Sequence, residues 1–274
     1  MPSLFILMIA LIIYVLTQDG AMEGLRHYLV PDFSQITSPK LIVSAMGQAF
    51  FSMSLGVGTM LVYGSYIRAD ENLPVVGALV TLTDTSVAFL AGLLVLPAIF
   101  VAQNLGVTIY AASGNLIAGP DLIFQVLPAL FESMGVAGLF VGFAFFVLMS
   151  IAAVTSSISM LEVPVSYAVE AHKVDRDKAT WLVGLIVFAI SSVICLNFDA
   201  LFGFVITMTT ERAQPLLSMM LCIFAGWVFY RNTILQELKS GNPNVEYGMF
   251  WKIWPVYVKF FCPALILLTF AQGF

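Results

Sequence analysis

Thr155, Ser156, Ser159 and Glu162 follow Ala152 at three- and four-residue intervals, so on a helix they share one face. In a membrane, a stripe of small hydroxyl-bearing residues has two uses. It lets helices approach closely and hydrogen-bond, or it supplies neutral oxygen ligands to a small hard cation. Asp84 adds a charge to the second option, because an acidic side chain within an apolar helix is costly unless paired and by default marks an ion or substrate path. Its neighbours Thr81, Thr83, Thr85 and Ser86 make the site wet enough to be the end of a span instead. Spacing alone leaves both readings open for the stripe and for Asp84.

A third feature concerns the backbone. The stretch from Gln48 to Gly58 lies within a membrane-length apolar segment yet carries Ser52, Ser54, Gly56 and Gly58. Such residues weaken a helix where hydrocarbon offers no replacement hydrogen bonds. A break there is tolerated only where it is buried or lines a cavity, and a cavity at mid-membrane depth points to solute transport.

The elements that must position these residues are membrane helices. Of 274 residues 60% are hydrophobic and 10% charged, against roughly 25% charged in soluble domains. Mean hydropathy is +0.99. Apolar segments, counted on the roughly 20 residues that a span needs, run over about 2–17, 42–66, 75–102, 136–169, 180–196, 201–230 and 252–272. The first is short and lacks the basic start and small-residue cleavage site of a signal peptide, so a span whose beginning is cut off is the expectation. The net charge of −5 is scattered, with no basic patch, which argues against nucleic acid. Cys195, Cys222 and Cys262 lie far apart without metal or redox spacing, and His27 and His172 stand alone in polar connections.

Alternating the connections puts Arg68, Lys173, Arg176, Lys178, Arg231, Lys239 and Lys252 on one side and only Arg26 and Lys40 on the other, so the first side is expected to be cytoplasmic. The long connection 104–135 then lies outside. It holds an apolar run from Leu122 to Leu127 that suits either a short helix folded over a cavity or an ordinary packed loop.

The run from Gln48 to Gly58, the following Tyr63-Gly64-Ser65-Tyr66, the stretch from Val154 to Ser159 and the loop Gly20-Ala21-Met22-Glu23-Gly24-Leu25 with Pro31-Asp32-Phe33-Ser34 resemble bacterial neurotransmitter:sodium symporters, the relatives of the leucine transporter. The resemblance runs over nearly the whole chain. It implies an all-α polytopic membrane protein with a partial inverted-repeat, leucine-transporter-like fold: a single membrane domain over 1–274 that contains part of the fifth helix, the complete second repeat and the eleventh helix, with short helices in an extracytoplasmic loop at 104–135. The first four helices, which supply half of the family's binding site, are not matched by this chain.

The same resemblance implies residue roles. Phe51 would wall the substrate side chain, Ser52 would serve both the substrate carboxylate and a sodium ion, and Ser54 and Val57 would line the pocket. Val57 stands where the leucine transporter has a bulkier aromatic residue. Ala152, through its carbonyl, Thr155 and Ser156 would hold a second sodium ion, with Ser156 and Met160 facing the substrate. Asp84 lies 32 residues after Ser52, the spacing of a first-sodium ligand, while counting back from Pro97 selects Thr83. A carboxylate there would substitute for the chloride that animal members bind. Thr207 occupies the position of an acidic gate residue, and Glu211-Arg212 follows one turn later, either assuming that role or neutralising itself locally. Glu162 sits at a family position that helps hold a helix interface.

The expected function is therefore the carboxyl-terminal portion of a sodium-coupled symporter for a small apolar or aromatic amino acid, multi-pass in the bacterial inner membrane, and not an enzyme. Two other readings stand beside it. One is a transport-incompetent fragment or split-gene subunit that needs a partner chain carrying helices one to four. The other is a channel or membrane assembly subunit, homo-oligomeric or not, in which the stripe serves packing.

Overall fold

The computed structural model describes residues 2–31, 33–36, 38–110 and 122–272. The fold is helical, and it divides into two compact units, Met1–Phe33 with Thr83–Ser156 and Ser34–Leu82 with Ser157–Phe274.

The first unit is built on α1 (Pro2–Leu16), α2 (Ala21–Leu29), the greater part of α5 (Leu73–Asn104), α6 (Leu127–Ser133) and the first half of α7 (Val136–His172). Its core joins Leu11 and Val15 of α1 to Ala98 and Val101 of α5 and to Leu130 and Phe131 of α6. Between α1 and α2 the chain turns by 114°. Gly20 makes that turn at φ 90, and Asn104 holds it by donating from Nδ2 to the Asp19 carbonyl at 3.0 Å. Beyond the turn α2 lies directly on α5: a Cβ on Gly24 would stand 2.6 Å from Pro97 Cα. Pro97 within α5 leaves one carbonyl without an intrahelical donor, which packed membrane helices accommodate. The apolar run from Leu122 forms a π-helical turn, Leu122–Val126, that leads into α6, with Val126 and Leu127 buried. The middle of that connection, 111–121, is outside the described residues.

The second unit holds α3 (Pro39–Ser52), α4 (Thr59–Tyr66), the start of α5, the end of α7, then α8 (Arg176–Leu196), α9 (Phe198–Ile206), α10 (Gln214–Ile223), α11 (Arg231–Gly241), α12 (Met249–Val256) and α13 (Cys262–Gln272). Pro39 sits in the first turn of α3, where its missing N–H is harmless. Asp175 caps α8 by accepting from the Asp177 N–H at 3.2 Å. Three π-helical turns, Thr207–Ala213, Phe224–Val228 and Tyr257–Phe261, interrupt the last spans. A small core of Leu238, Val245 and Trp251 ties α11 to α12, helped by the Lys239–Glu246 ion pair and by the Arg231 guanidinium 5.3 Å from the Trp251 ring.

Four helical segments among the described residues are long and apolar enough to cross a membrane: Leu73–Asn104, Val136–His172, Arg176–Leu196 and Met249–Leu268. They coincide with four of the seven segments read from hydropathy. The first of the seven is α1, short in the structure as in the sequence. That at 201–230 is the helical run Ala200–Val228, which bends by 100° into α11. Arg231, Glu237 and Lys239 make α11 too polar to continue a span. The remaining segment, 42–66, is not one helix but two short ones, α3 and α4.

Candidate functional site

The interruption falls between Met53 and Gly58, and its geometry is a specific helix stop. Ser54 N–H donates to the Phe51 carbonyl at 3.0 Å and Leu55 N–H to the Phe50 carbonyl at 2.9 Å. With Met53 as the capping residue and Ser54 in the left-handed region at φ 52, this is a Schellman stop in which serine holds the place usually taken by glycine. Phe50 and Leu55, the positions whose apolar side chains often accompany such stops, line one cavity. Gly56 at φ 78 and Gly58 at φ 92 carry the chain on, and α4 starts at Thr59. A serine in the left-handed region is sparsely populated backbone of the kind found at functional sites.

Around this break the residues singled out above take distinct places. Phe51 and Ser52 form the exposed last turn of α3, and Ser54 is half-buried within the unwound segment. Val57 lines a cavity of about 460 Å³ together with Leu61, Leu217, Met220 and Phe224. Met160 lies on α7 with 45% of its surface exposed. The Thr81 hydroxyl of α5 donates to the Gly77 carbonyl at 2.9 Å and lies 4.0 Å from the Met53 sulfur.

In the first unit, Thr155 donates its hydroxyl to the Ala152 carbonyl at 2.8 Å. Two of the oxygens assigned to a cation are thereby adjacent on one face of α7. Asp84 is half-buried on α5 and Thr83 exposed. Of the gate-like positions, Thr207 opens a π-helical turn, and such turns inside α-helices frequently mark functional sites. Arg212 reaches toward the Met208 sulfur at 3.9 Å, while the Glu211 side chain is outside the described residues.

One cluster is only hinted at by the sequence. On α4, Tyr63 and Tyr66 are three residues apart and both reach α7: Tyr63 donates to Ser159 Oγ, and Tyr66 Oη donates to Glu162 Oε1 at 2.8 Å. Glu162 also accepts from Ser166 Oγ at 3.0 Å and from Arg176 Nη2 at 2.8 and 2.9 Å. The Glu162 side chain is half-buried, 19% exposed, while the Arg176 side chain remains 61% exposed. The half of the interrupted span that follows the break is thus tied to α7 through the Ser159 hydroxyl and the Glu162 carboxylate. The matching periods of Tyr63/Tyr66 and Ser159/Glu162/Ser166 were the available signal.

A span unwound part-way along its length, together with a helix that carries aligned hydroxyl and carbonyl oxygens, defines a multi-pass membrane protein of the broken-helix class. The chain belongs to the sodium:neurotransmitter symporter family, whose family model matches residues 1–274. It is 36% identical over 279 residues to an uncharacterized sodium-dependent transporter of Haemophilus influenzae, covering 100% of this chain and 58% of that protein. To the uncharacterized sodium-dependent transporter YhdH of Bacillus subtilis it is 32% identical over 280 residues, covering 98% and 59% respectively. Its fold matches the crystal structure of MhsT in complex with L-phenylalanine at a TM-score of 0.86 and 35% identity, over 100% of this chain and 61% of MhsT. The chain therefore spans about three fifths of the length of these relatives.

Proposed function

We propose that this protein acts in sodium-coupled symport of a small apolar or aromatic amino acid across the bacterial inner membrane, by alternating access and without enzymatic chemistry. The observation that carries the reading is the interruption at Met53–Gly58, which ends one helix and starts another within a single apolar segment, an arrangement tolerated in a membrane where the backbone is buried or lines a cavity. In this reading residues 1–274 belong to one membrane domain, with 104–135 outside and the arginine- and lysine-rich connections in the cytoplasm. Phe51 closes on the substrate side chain, Ser52 serves its carboxylate, and Ser54, Val57, Ser156 and Met160 shape the pocket. Two sodium ions accompany it, one using Ser52 and Asp84, the other Ala152, Thr155 and Ser156. The presence of phenylalanine in MhsT supports an aromatic amino acid as the first substrate to try.

The test is uptake of labelled L-phenylalanine and L-leucine into proteoliposomes carrying the full-length gene product, under sodium or potassium gradients. Sodium-driven uptake is the expected result, and equal uptake in both gradients overturns the coupling. Ser156→Ala removes one neutral oxygen from a cation and should raise the half-saturating sodium concentration by about tenfold, the effect of losing a charge-assisted contact. The sodium-free melting temperature should stay near that of the parent. An equal loss of sodium dependence and thermal stability would instead favour the packing role of the stripe.

Chloride supplies a separate prediction. With a carboxylate at Asp84 standing in for an anion beside sodium, replacing chloride by gluconate should leave sodium-driven uptake unchanged. Abolition of uptake would remove Asp84 from that role.

A further inference from the structure

Behind the unwound segment, α10 meets it at a single glycine. A Cβ on Gly56 would lie 2.3 Å from the Gln214 carbonyl oxygen and 2.6 Å from Ser218 Oγ, so the two backbones touch there. Gln214 and Ser218 are four residues apart on α10 and share a face. They are 8% and 6% exposed, and neither Gln214 Oε1 nor Ser218 Oγ has a hydrogen-bond partner among the described residues.

Thr59 Oγ1, at the start of α4, is likewise without a partner among the described residues, whereas several hydroxyls on these helices are satisfied locally. Ser150, Thr180, Ser192, Thr209 and Ser240 each donate back to the carbonyl four residues earlier. The corresponding acceptor for Ser218 is the Gln214 carbonyl, the oxygen against which Gly56 packs, and Ser218 does not use it. Buried polar atoms left over by the protein are satisfied by ordered water where two or more converge. The contact is also narrow. Gly56 and Leu221 border both the cavity of about 460 Å³ beside Val57 and a second of about 310 Å³ beside Phe50 and Tyr257, so the segment is held at a waist with room on either side.

We infer that Gln214 and Ser218 are positioning residues of the interrupted span: through one buried water shared by Gln214 Oε1 and Ser218 Oγ they hold the unwound segment at Gly56, and this hold is the pivot about which α3 and α4 tilt. The tilting rests on the transport reading, whereas the hold does not. The shared water makes the two side chains one unit, so removing either oxygen should release the segment and removing both should add little.

Hydrogen exchange read by mass spectrometry on the full-length protein in lipid nanodiscs tests this with sodium chloride or potassium chloride as the only additions. Ser218→Ala and Gln214→Met should each speed exchange of the amides at 53–60 by about tenfold, with the double variant close to either single one, and exchange in α8 unchanged. Slower or unaltered exchange at 53–60 in both single variants overturns the hold, because oxygens that merely go unsatisfied are better replaced by carbon. Multiplying effects in the double variant overturn the shared water. The transport reading answers separately: sodium should slow exchange at 53–60 in the parent protein, and if it does not, that reading fails while the comparison among variants still decides the hold.

Discussion

Gly56→Ala is expected to abolish the folded protein, or to lower its melting temperature by about 10 °C or more. Two costs coincide at this position. The residue stands at φ 78, where a side chain is disfavoured by roughly 1 kcal/mol. In addition, the new methyl would stand 2.3 Å from the Gln214 carbonyl, a backbone oxygen that cannot rotate aside. Relief would require α10 to move away from the unwound segment, opening the contact at Gln214 and Ser218. Gly64→Ala is the control. Gly64 lies within α4, and a Cβ there would meet nothing within 4 Å, so alanine should be neutral or stabilising by a few tenths to about 1 kcal/mol through lower unfolded-chain entropy. Fluorescence-detected size exclusion against temperature measures both. A Gly56→Ala protein as stable as the parent would mean that α10 does not press on the break.

The interruption itself was legible because it depends on local backbone chemistry. Two glycines and two serines within an apolar run have few outcomes in a membrane, and the structure places the stop within that run, between Met53 and Gly58. The long spans were legible for a similar reason, since hydropathy over roughly 20 residues reports the solvent and not the neighbours. The turn at Gly20 was not legible, although Gly20 belongs to one of the motifs that carry the family resemblance. A glycine permits a 114° bend without requiring it, and what fixes the bend is Asn104, far along the chain.

The same limit explains the site. The period of Ala152, Thr155, Ser156, Ser159 and Glu162 reports a shared face but not what the face meets. In the structure its members have different partners: Thr155 turns to the Ala152 carbonyl, Ser159 to Tyr63, and Glu162 to Tyr66, Ser166 and Arg176. Gln214 and Ser218 carry no signal in the sequence, because an amide and a hydroxyl in an apolar helix look alike whether they face lipid, a neighbouring helix or an unwound backbone. Only the Gly56 contact distinguishes them.

Glu162 provides the other large effect. Its carboxylate joins Tyr66 at the end of α4 to Ser166 of α7 and Arg176 at the start of α8. Hydrogen bonds to a charged acceptor contribute about 1.5–3 kcal/mol each when shielded from water, and less where a partner is exposed. Glu162→Ala should therefore loosen the Tyr66 end of α4 from α7, with the Tyr63–Ser159 bond left in place. If α4 is the moving half of the interrupted span, a loss of about 1.4 kcal/mol in one conformation changes its population tenfold. Sodium-driven uptake by the full-length protein should then fall by about tenfold or more. Arg176→Ala should matter much less, because the Arg176 side chain is 61% exposed and water replaces what it loses, whereas Tyr66 and Ser166 keep their acceptor. Glu162→Gln retains an oxygen for Tyr66 but not the charge, and belongs between the two. The order alanine, glutamine and then Arg176→Ala, from most to least damaging, is what a positional tie requires. Equal damage from Glu162→Gln and Arg176→Ala, with Glu162→Ala no worse, would mean that the ion pair and not the bond to Tyr66 holds this end of the span.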